Sequence, residues 1–168
     1  MKINGLGLVF AAVAGLCVAF PVAGAAAAET AQGPHSEAEA IQGVLRDYRT
    51  AVSTGDEALF LTTLLDNQIP FFAVDAAADR VADPVFTDLQ GVADFRLRVF
   101  HSGILYRQTL DQIKIDQHGA LAQVTLHFVT RVRDSQEGGQ GWKTLTLLKA
   151  GLRWKIVSEF YTVGNLVT

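Results

Sequence analysis

Few side chains in this sequence combine reactive chemistry with a placement that could use it. The four histidines are scattered. His35 precedes the first regular element, His118 sits in the turn "DQHG", and His127 alternates onto the wet side of a strand. His101, near the end of a helical stripe, could stand at a pocket mouth or interact with the helix dipole. No two histidines stand at ligand spacing, and neither H-E-x-x-H nor C-x-x-C occurs, so no metal and no cofactor is expected. In the closing stretch "AGLRWKIVSEFYT", Trp154, Ile156, Ser158, Phe160 and Thr162 share one face by alternation. Lys155, Val157, Glu159 and Tyr161 share the other. Ser158 is a poor nucleophile at neutral pH without a base placed beside it. That column is expected to line a greasy pocket.

Helices come first in the order of elements that position these residues. Ser36 and Glu39 form a capping box, and Ile41, Val44, Leu45, Tyr48, Ala51 and Val52 recur at helical spacing until Gly55. Asp56 caps a second helix that carries Leu59, Phe60, Thr63 and Leu64. "IPFFAV", residues 69–74, is short enough to be a strand, and a loop runs from Asp75 to Phe86 because Pro84 forbids a continuing helix. Thr87 and Gln90 suggest a second capping box before a third helix striped by Val92, Phe95, Val99 and Phe100, ending at Gly103. The period then switches to two. Leu105–Asp116, Leu121–Asp134, Trp142–Lys149 and Leu152–Val163 read as long strands separated by "DQHG", "SQEGGQG" and "KAG". Helices followed by an antiparallel meander predict an α+β domain with the helices on one face of a curved sheet.

The chain has 168 residues, 49% of them apolar, and a formal net charge of -3. That suffices for one domain with a proper core, and the acid balance gives no electrostatic case for nucleic acid. Residues 1–28 read as a secretory signal peptide: Lys2, an apolar run from Leu6 to Phe20, Pro21, then small residues ending in Ala26–Ala28. Residues 29–35 form a polar lead-in and 36–168 a single domain. The expected location is periplasmic or secreted, with no membrane contact after cleavage. The only cysteine, Cys17, lies inside the apolar run, so the mature domain relies on packing rather than disulfides.

"YRTAVSTGDEALFLTTLLD" is similar to the helix–Gly-Asp–helix opening of SnoaL-like and ketosteroid-isomerase-like proteins, and "WKIVSEFYT" resembles their closing strand. Together with the element order, residues 36–163 resemble the NTF2-like cone fold. The resemblance implies a conical pocket between helices and sheet, and an outer sheet face that pairs with a second subunit. Activity varies widely on such a fold, so function is argued from the site.

The family's catalytic patterns transfer poorly. Tyr48 matches the opening-motif tyrosine that donates to an oxyanion in ketosteroid isomerases, but the register of the aspartate base falls on Phe72. The second acid's register falls among Leu145, Thr146 and Leu147. A water-activating pattern of carboxylates around an arginine finds only Asp94 with Arg96, or Asp111 with Arg107. No recognisable catalytic set remains. Tyr48, Phe60, Phe72, Phe95, Phe100, His101, Tyr106, Trp154, Ser158, Phe160 and Thr162 are expected around the pocket, as the walls of a site for a small apolar or aromatic molecule. Thr125, His127, Val129, Arg131, Val157, Glu159 and Tyr161 are expected on a homodimer face. The alternatives are an isomerase, lyase or hydrolase using Tyr48 with His101 or Asp94, and an assembly module with a vestigial pocket.

Overall fold

A computed structural model of the chain describes residues 36–75 and 86–166, with the side chains of 86–90 left aside. The signal-peptide and lead-in segments, and most of the predicted 75–86 loop, lie outside the described residues. Among those described, no helix is long and apolar enough to cross a membrane.

The first helix starts where its cap requires. Ser36 Oγ accepts from the Glu39 N–H at 3.2 Å, and Glu39 Oε2 accepts from the Ser36 N–H at 3.0 Å. Two orphan donors are satisfied reciprocally. α1 then spans Glu37–Thr54 and buries Ile41, Leu45, Tyr48, Ala51 and Val52 on one stripe. It stops at Gly55, whose φ of 73° suits a residue without a Cβ. Asp56 caps α2, Glu57–Thr63, through the Leu59 N–H at 2.9 Å, and α2 buries Phe60 and Thr63.

Four long strands follow as a meander: β3 (Tyr106–His118), β4 (Leu121–Val132), β5 (Gly138–Ala150) and β6 (Arg153–Asn165). The short β1 (Phe71–Asp75) adds to β6 in parallel, and β2 (Phe86–Gln90) pairs antiparallel with β1. The sheet order is β2-β1-β6-β5-β4-β3. It is thus mixed rather than wholly antiparallel, because β1 and β6 are joined by the long connection through the third helix and β3–β5 rather than by a tight turn.

Three expectations are corrected here. Phe86–Gln90 is a strand, so Thr87 and Gln90 do not form a capping box. The third helix, α3 (Val92–Val99), has Gly91 at its N-cap with no side-chain bond, and the Gly91 N–H is donated to Phe71 O at 2.8 Å. Sheet pairing wins over the local capping signal. The glycines of "GGQG" also belong to β5 rather than to a turn. A Cβ on Gly138 would lie 2.1 Å from Thr130 O and one on Gly141 1.9 Å from Thr162 O, so only glycine lets these strands close together.

The third correction decides the site. Thr146 faces Ser158 while Leu147 faces Ile156, so Val157 is an extra residue in β6. A bulge of this kind inverts every alternation beyond it. Trp154 and Ile156 point into the core as expected, but downstream it is Glu159 that is 0% exposed while Phe160 is 47% exposed. Glu159 and Tyr161 therefore leave the expected dimer face for the interior, and Phe160 and Thr162 leave the pocket.

The core fills the concave side of the sheet. β4 contributes Ala122, Val124, Leu126 and Phe128, β5 Leu145 and Leu147, and the helices Ile41, Leu45, Val52, Phe60, Val92 and Phe95. Each large apolar side chain buried there contributes roughly 1.5–3 kcal/mol. Trp154 closes the end opposite the cavity described below, its indole Nε1 donating to Glu37 Oε2 at 2.7 Å. Lys149 also binds Glu37, and the hydrogen bonds from Lys149 and Trp154 hold the Glu37 carboxyl below its ordinary range.

Candidate functional site

A cavity of about 480 Å³ opens between α3, the end of α1 and the concave faces of β3–β6. Val52, Phe95, Val99, Phe128, Tyr161 and Val163 give it an apolar wall. Gln108, Thr130, Lys143, Tyr106 and Arg98 supply polar groups, and Asp75 and Asn165 add a carboxylate and an amide to the lining. The β5 glycines Gly138 and Gly139 also line it, so backbone rather than side chains forms part of the rim.

Lys143 stands where β5 alternation puts it, in phase with Leu145 and Leu147, and is 3% exposed. Behind it lies a buried polar cluster. Lys143 Nζ approaches Glu159 Oε1 at 2.5 Å and donates to Tyr48 Oη at 2.9 Å. The Tyr48 hydroxyl donates in turn to Glu159 Oε1 at 2.9 Å. Three rings surround the amine: Nζ lies 4.5 Å from the Tyr48 centroid, 5.1 Å from Phe128 and 5.0 Å from Tyr161. Such a cage favours a cation through the ring quadrupoles.

Burial works against both charges. It pushes Lys143 below the usual ammonium range, with Glu159 pulling back. It pushes Glu159 above the usual carboxylate range, opposed by Lys143 and by the Tyr48 hydrogen bond. Burial, then the neighbouring Glu159 charge, raises the Tyr48 phenol well above normal. Tyr161 rises for the same two reasons, with Arg98 opposing. The direction common to the pair is toward sharing one proton between carboxyl and amine, since a neutral pair avoids desolvating two ions. Glu159 Oε2 and Gln108 Oε1 are buried without a hydrogen-bond partner. Gln108 is held in place by its backbone N–H to Ser53 Oγ at 3.0 Å and by its Nε2 to Thr130 Oγ1 at 2.9 Å.

Of the residues read from sequence as pocket walls, Phe95 and Tyr106 line this cavity. Tyr48 sits one layer behind, bonded to Lys143, and Phe60 packs against Tyr48, Phe95 and Phe100. Trp154 is at the opposite end with Glu37. His101 is exposed and meets Glu57 Oε1 at 3.0 Å, beside the Arg96 Nε contact at 2.5 Å. Neither His101 nor Asp94 is among the lining residues, so the pairing of Tyr48 with either is corrected: its partners are Glu159 and Lys143. Phe72 and Phe160 stack on the outer face, centroids 5.8 Å apart and 13° from parallel. Ser158 and Thr162 flank Phe160 on that same outward alternation, and Thr162 Oγ1 accepts from the Trp142 N–H at 3.1 Å.

The column expected to line a greasy pocket thus gives way to a wall that carries Lys143, with Glu159 behind it. Lys143 was detectable as the charged member of an otherwise dry alternation. Glu159 was not, because the Val157 bulge that turns it inward leaves no mark in the local sequence. Among the described residues, no group of three or more His, Cys, Asp or Glu side chains could hold a metal ion.

The arrangement matches known structures in fold. An NTF2-like protein of Shewanella baltica superposes with a TM-score of 0.55 at 18% identity, covering 76% of this chain and 94% of that one. An NTF2-like protein of Cytophaga hutchinsonii gives 0.58 at 12% identity, covering 77% and 99%. A protein of Novosphingobium aromaticivorans described as a candidate scytalone dehydratase gives 0.55 at 13%, covering 78% and 85%. No protein-family model and no curated protein matches the sequence. The described domain is an NTF2-like cone of the α+β class; at such identities the likeness concerns fold alone.

Proposed function

We propose that this chain binds a small, largely apolar or aromatic molecule carrying one oxygen-bearing end in the Lys143 cavity. The observation that carries this is a buried lysine in the wall of a cavity whose floor is largely apolar, with Gln108 and Thr130 on the same wall. An apolar chamber with a few convergent polar groups is the usual make-up of a small-molecule site. The amine prefers an acceptor such as a carboxylate or carbonyl oxygen. Thr130 accepts from Gln108, which leaves its own hydroxyl proton to donate.

Titration calorimetry with benzoate and longer aromatic acids tests the reading. Saturable binding is expected, weakened about tenfold or more in Lys143→Met, the worth of one hydrogen bond to a charged group. No binding by any member of a diverse aromatic set overturns it.

The same reading includes export through residues 1–28 and pairing of two copies through the outer sheet face. The face is favoured because Phe72, Phe160 and Trp142, at 42%, 47% and 48% exposure, lie there together with half-buried Thr125, His127 and Val129. His127 links Trp142, 5.6 Å between centroids, to Asp111 at 3.0 Å. Aromatic residues with a polar fringe suit an isologous contact. Cell fractionation tests export: a mature form outside the cytoplasm, shortened near Ala28, is expected.

A further inference from the structure

We propose that Lys143 is a reactive amine that captures a small aromatic or apolar aldehyde or ketone as an imine inside the cavity. The proposal rests on the ligand-binding reading above and names the chemistry of its polar end.

Three observations converge on it. Lys143 lines the cavity and Tyr48 and Glu159, which hold its amine, do not, so of this cluster Lys143 is the member within reach of a bound molecule. A proton acceptor is already in contact, with Glu159 Oε1 2.5 Å from Nζ. A purely structural role explains the cluster poorly. Buried ion pairs are commonly matched or exceeded in stability by apolar residues of like volume, and here one carboxylate oxygen is left unpartnered.

The step balances without an oxidant or reductant. The Lys143 ammonium passes one proton to the Glu159 carboxylate, freeing the nitrogen lone pair. That pair forms the C–N bond to the carbonyl carbon as the C=O π pair moves onto oxygen. The oxygen takes the proton back, through Glu159 or the Tyr48 hydroxyl, to give a carbinolamine. A second proton, released by the nitrogen and relayed the same way, lets that oxygen leave as water; the nitrogen lone pair then completes a C=N bond, and the imine retains one proton. Ammonium and carbonyl have become protonated imine and water. The cation stays on the same nitrogen, so the three rings and Glu159 that hold the ammonium hold the product too. Gln108 and Thr130 lie on the same wall, where the departing oxygen can be hydrogen-bonded.

Reductive trapping tests this. The purified full chain is incubated with benzaldehyde and sodium cyanoborohydride, then followed by intact mass and peptide mapping. A single benzyl addition at Lys143 is expected, roughly tenfold or more faster than at exposed Lys114, with the remaining lysines as internal references. Lys143→Arg, which keeps the charge beside Glu159, should abolish the fast addition while retaining the thermal unfolding transition. Labelling of Lys143 no faster than of Lys114 overturns the imine. Calorimetry with benzoate, which cannot form an imine, separates the two levels. Benzoate binding without Lys143 labelling sinks the imine and leaves the ligand reading standing; neither binding nor labelling sinks both. Fast labelling of Lys143 supports the imine whatever benzoate does.

Discussion

A lysine and a glutamate buried against one tyrosine make the energetically costly point of this molecule. Lys143 is 3% and Glu159 0% exposed, so each charge depends on the other for compensation. Removing one partner strands the other. Glu159→Leu alone is expected to cost about 3–5 kcal/mol, as when one partner of a buried pair is deleted. The double variant Lys143→Met/Glu159→Leu should recover most of that loss, because neither ion is then left unpaired. Urea unfolding of the two singles and the double gives the coupling energy; strict additivity would show that the pair does not act as a unit. The double variant should also lose benzoate binding, separating the worth of the cluster for stability from its worth for the ligand.

At the level of elements, helices and strands are joined by a few specific clamps. Glu57 on α2 is gripped by His101 and Arg96 at the end of α3, and hydrogen bonds from His101, then Arg96, hold its carboxyl below the ordinary 4.5. The sign follows from linkage. A depressed carboxylate contributes stability that is fully present above its unfolded value and is lost as pH falls through its folded value. Glu57→Gln should therefore flatten the loss of stability as pH falls below the ordinary carboxylate value of 4.5, read from the urea midpoint at each pH. An unchanged slope would remove Glu57 from the acid response. The sheet has its own constraint at Gly141, where a Cβ would meet Thr162 O at 1.9 Å. Gly141→Ala must push β5 and β6 apart and is expected to lower stability by about 2 kcal/mol or more, seen as a lower melting temperature. Gly119, with open space around its Cβ position, sets the contrast for packing alone, although its φ of 58° brings backbone strain of its own.

For the whole molecule, the cone has a closed end fastened by Glu37, Lys149 and Trp154 and an open end holding the Lys143 cavity. Its outer sheet face carries the Phe72–Phe160 stack and Trp142. If two copies pair there, Phe160→Glu places like charges across the two-fold contact and should yield a monomer by light scattering. Benzoate binding on the inner face should persist. A wild-type monomer over a wide concentration range would refute the pairing, and a dimer unaffected by Phe160→Glu would move it to another surface.

The sequence by itself determined most of the elements and much of the packing. The Ser36–Glu39 box, the Gly55 stop and the α1 stripe are local signals that tertiary contacts reinforce, and β4 alternation separated Val124, Leu126 and Phe128 from Thr125, His127 and Val129. It also placed Tyr48 and Phe95 in the interior, because helical spacing fixes which side chains share a face. Only the tertiary structure decided the chemistry of the cavity. A single extra residue at Val157 is visible solely through the pairing of β6 with β5, and it exchanges Glu159 and Tyr161 for Phe160 and Thr162. Period-two alternation carries no record of where its phase slips, so the carboxyl that meets Tyr48 and Lys143 emerges from strand register rather than from residue order.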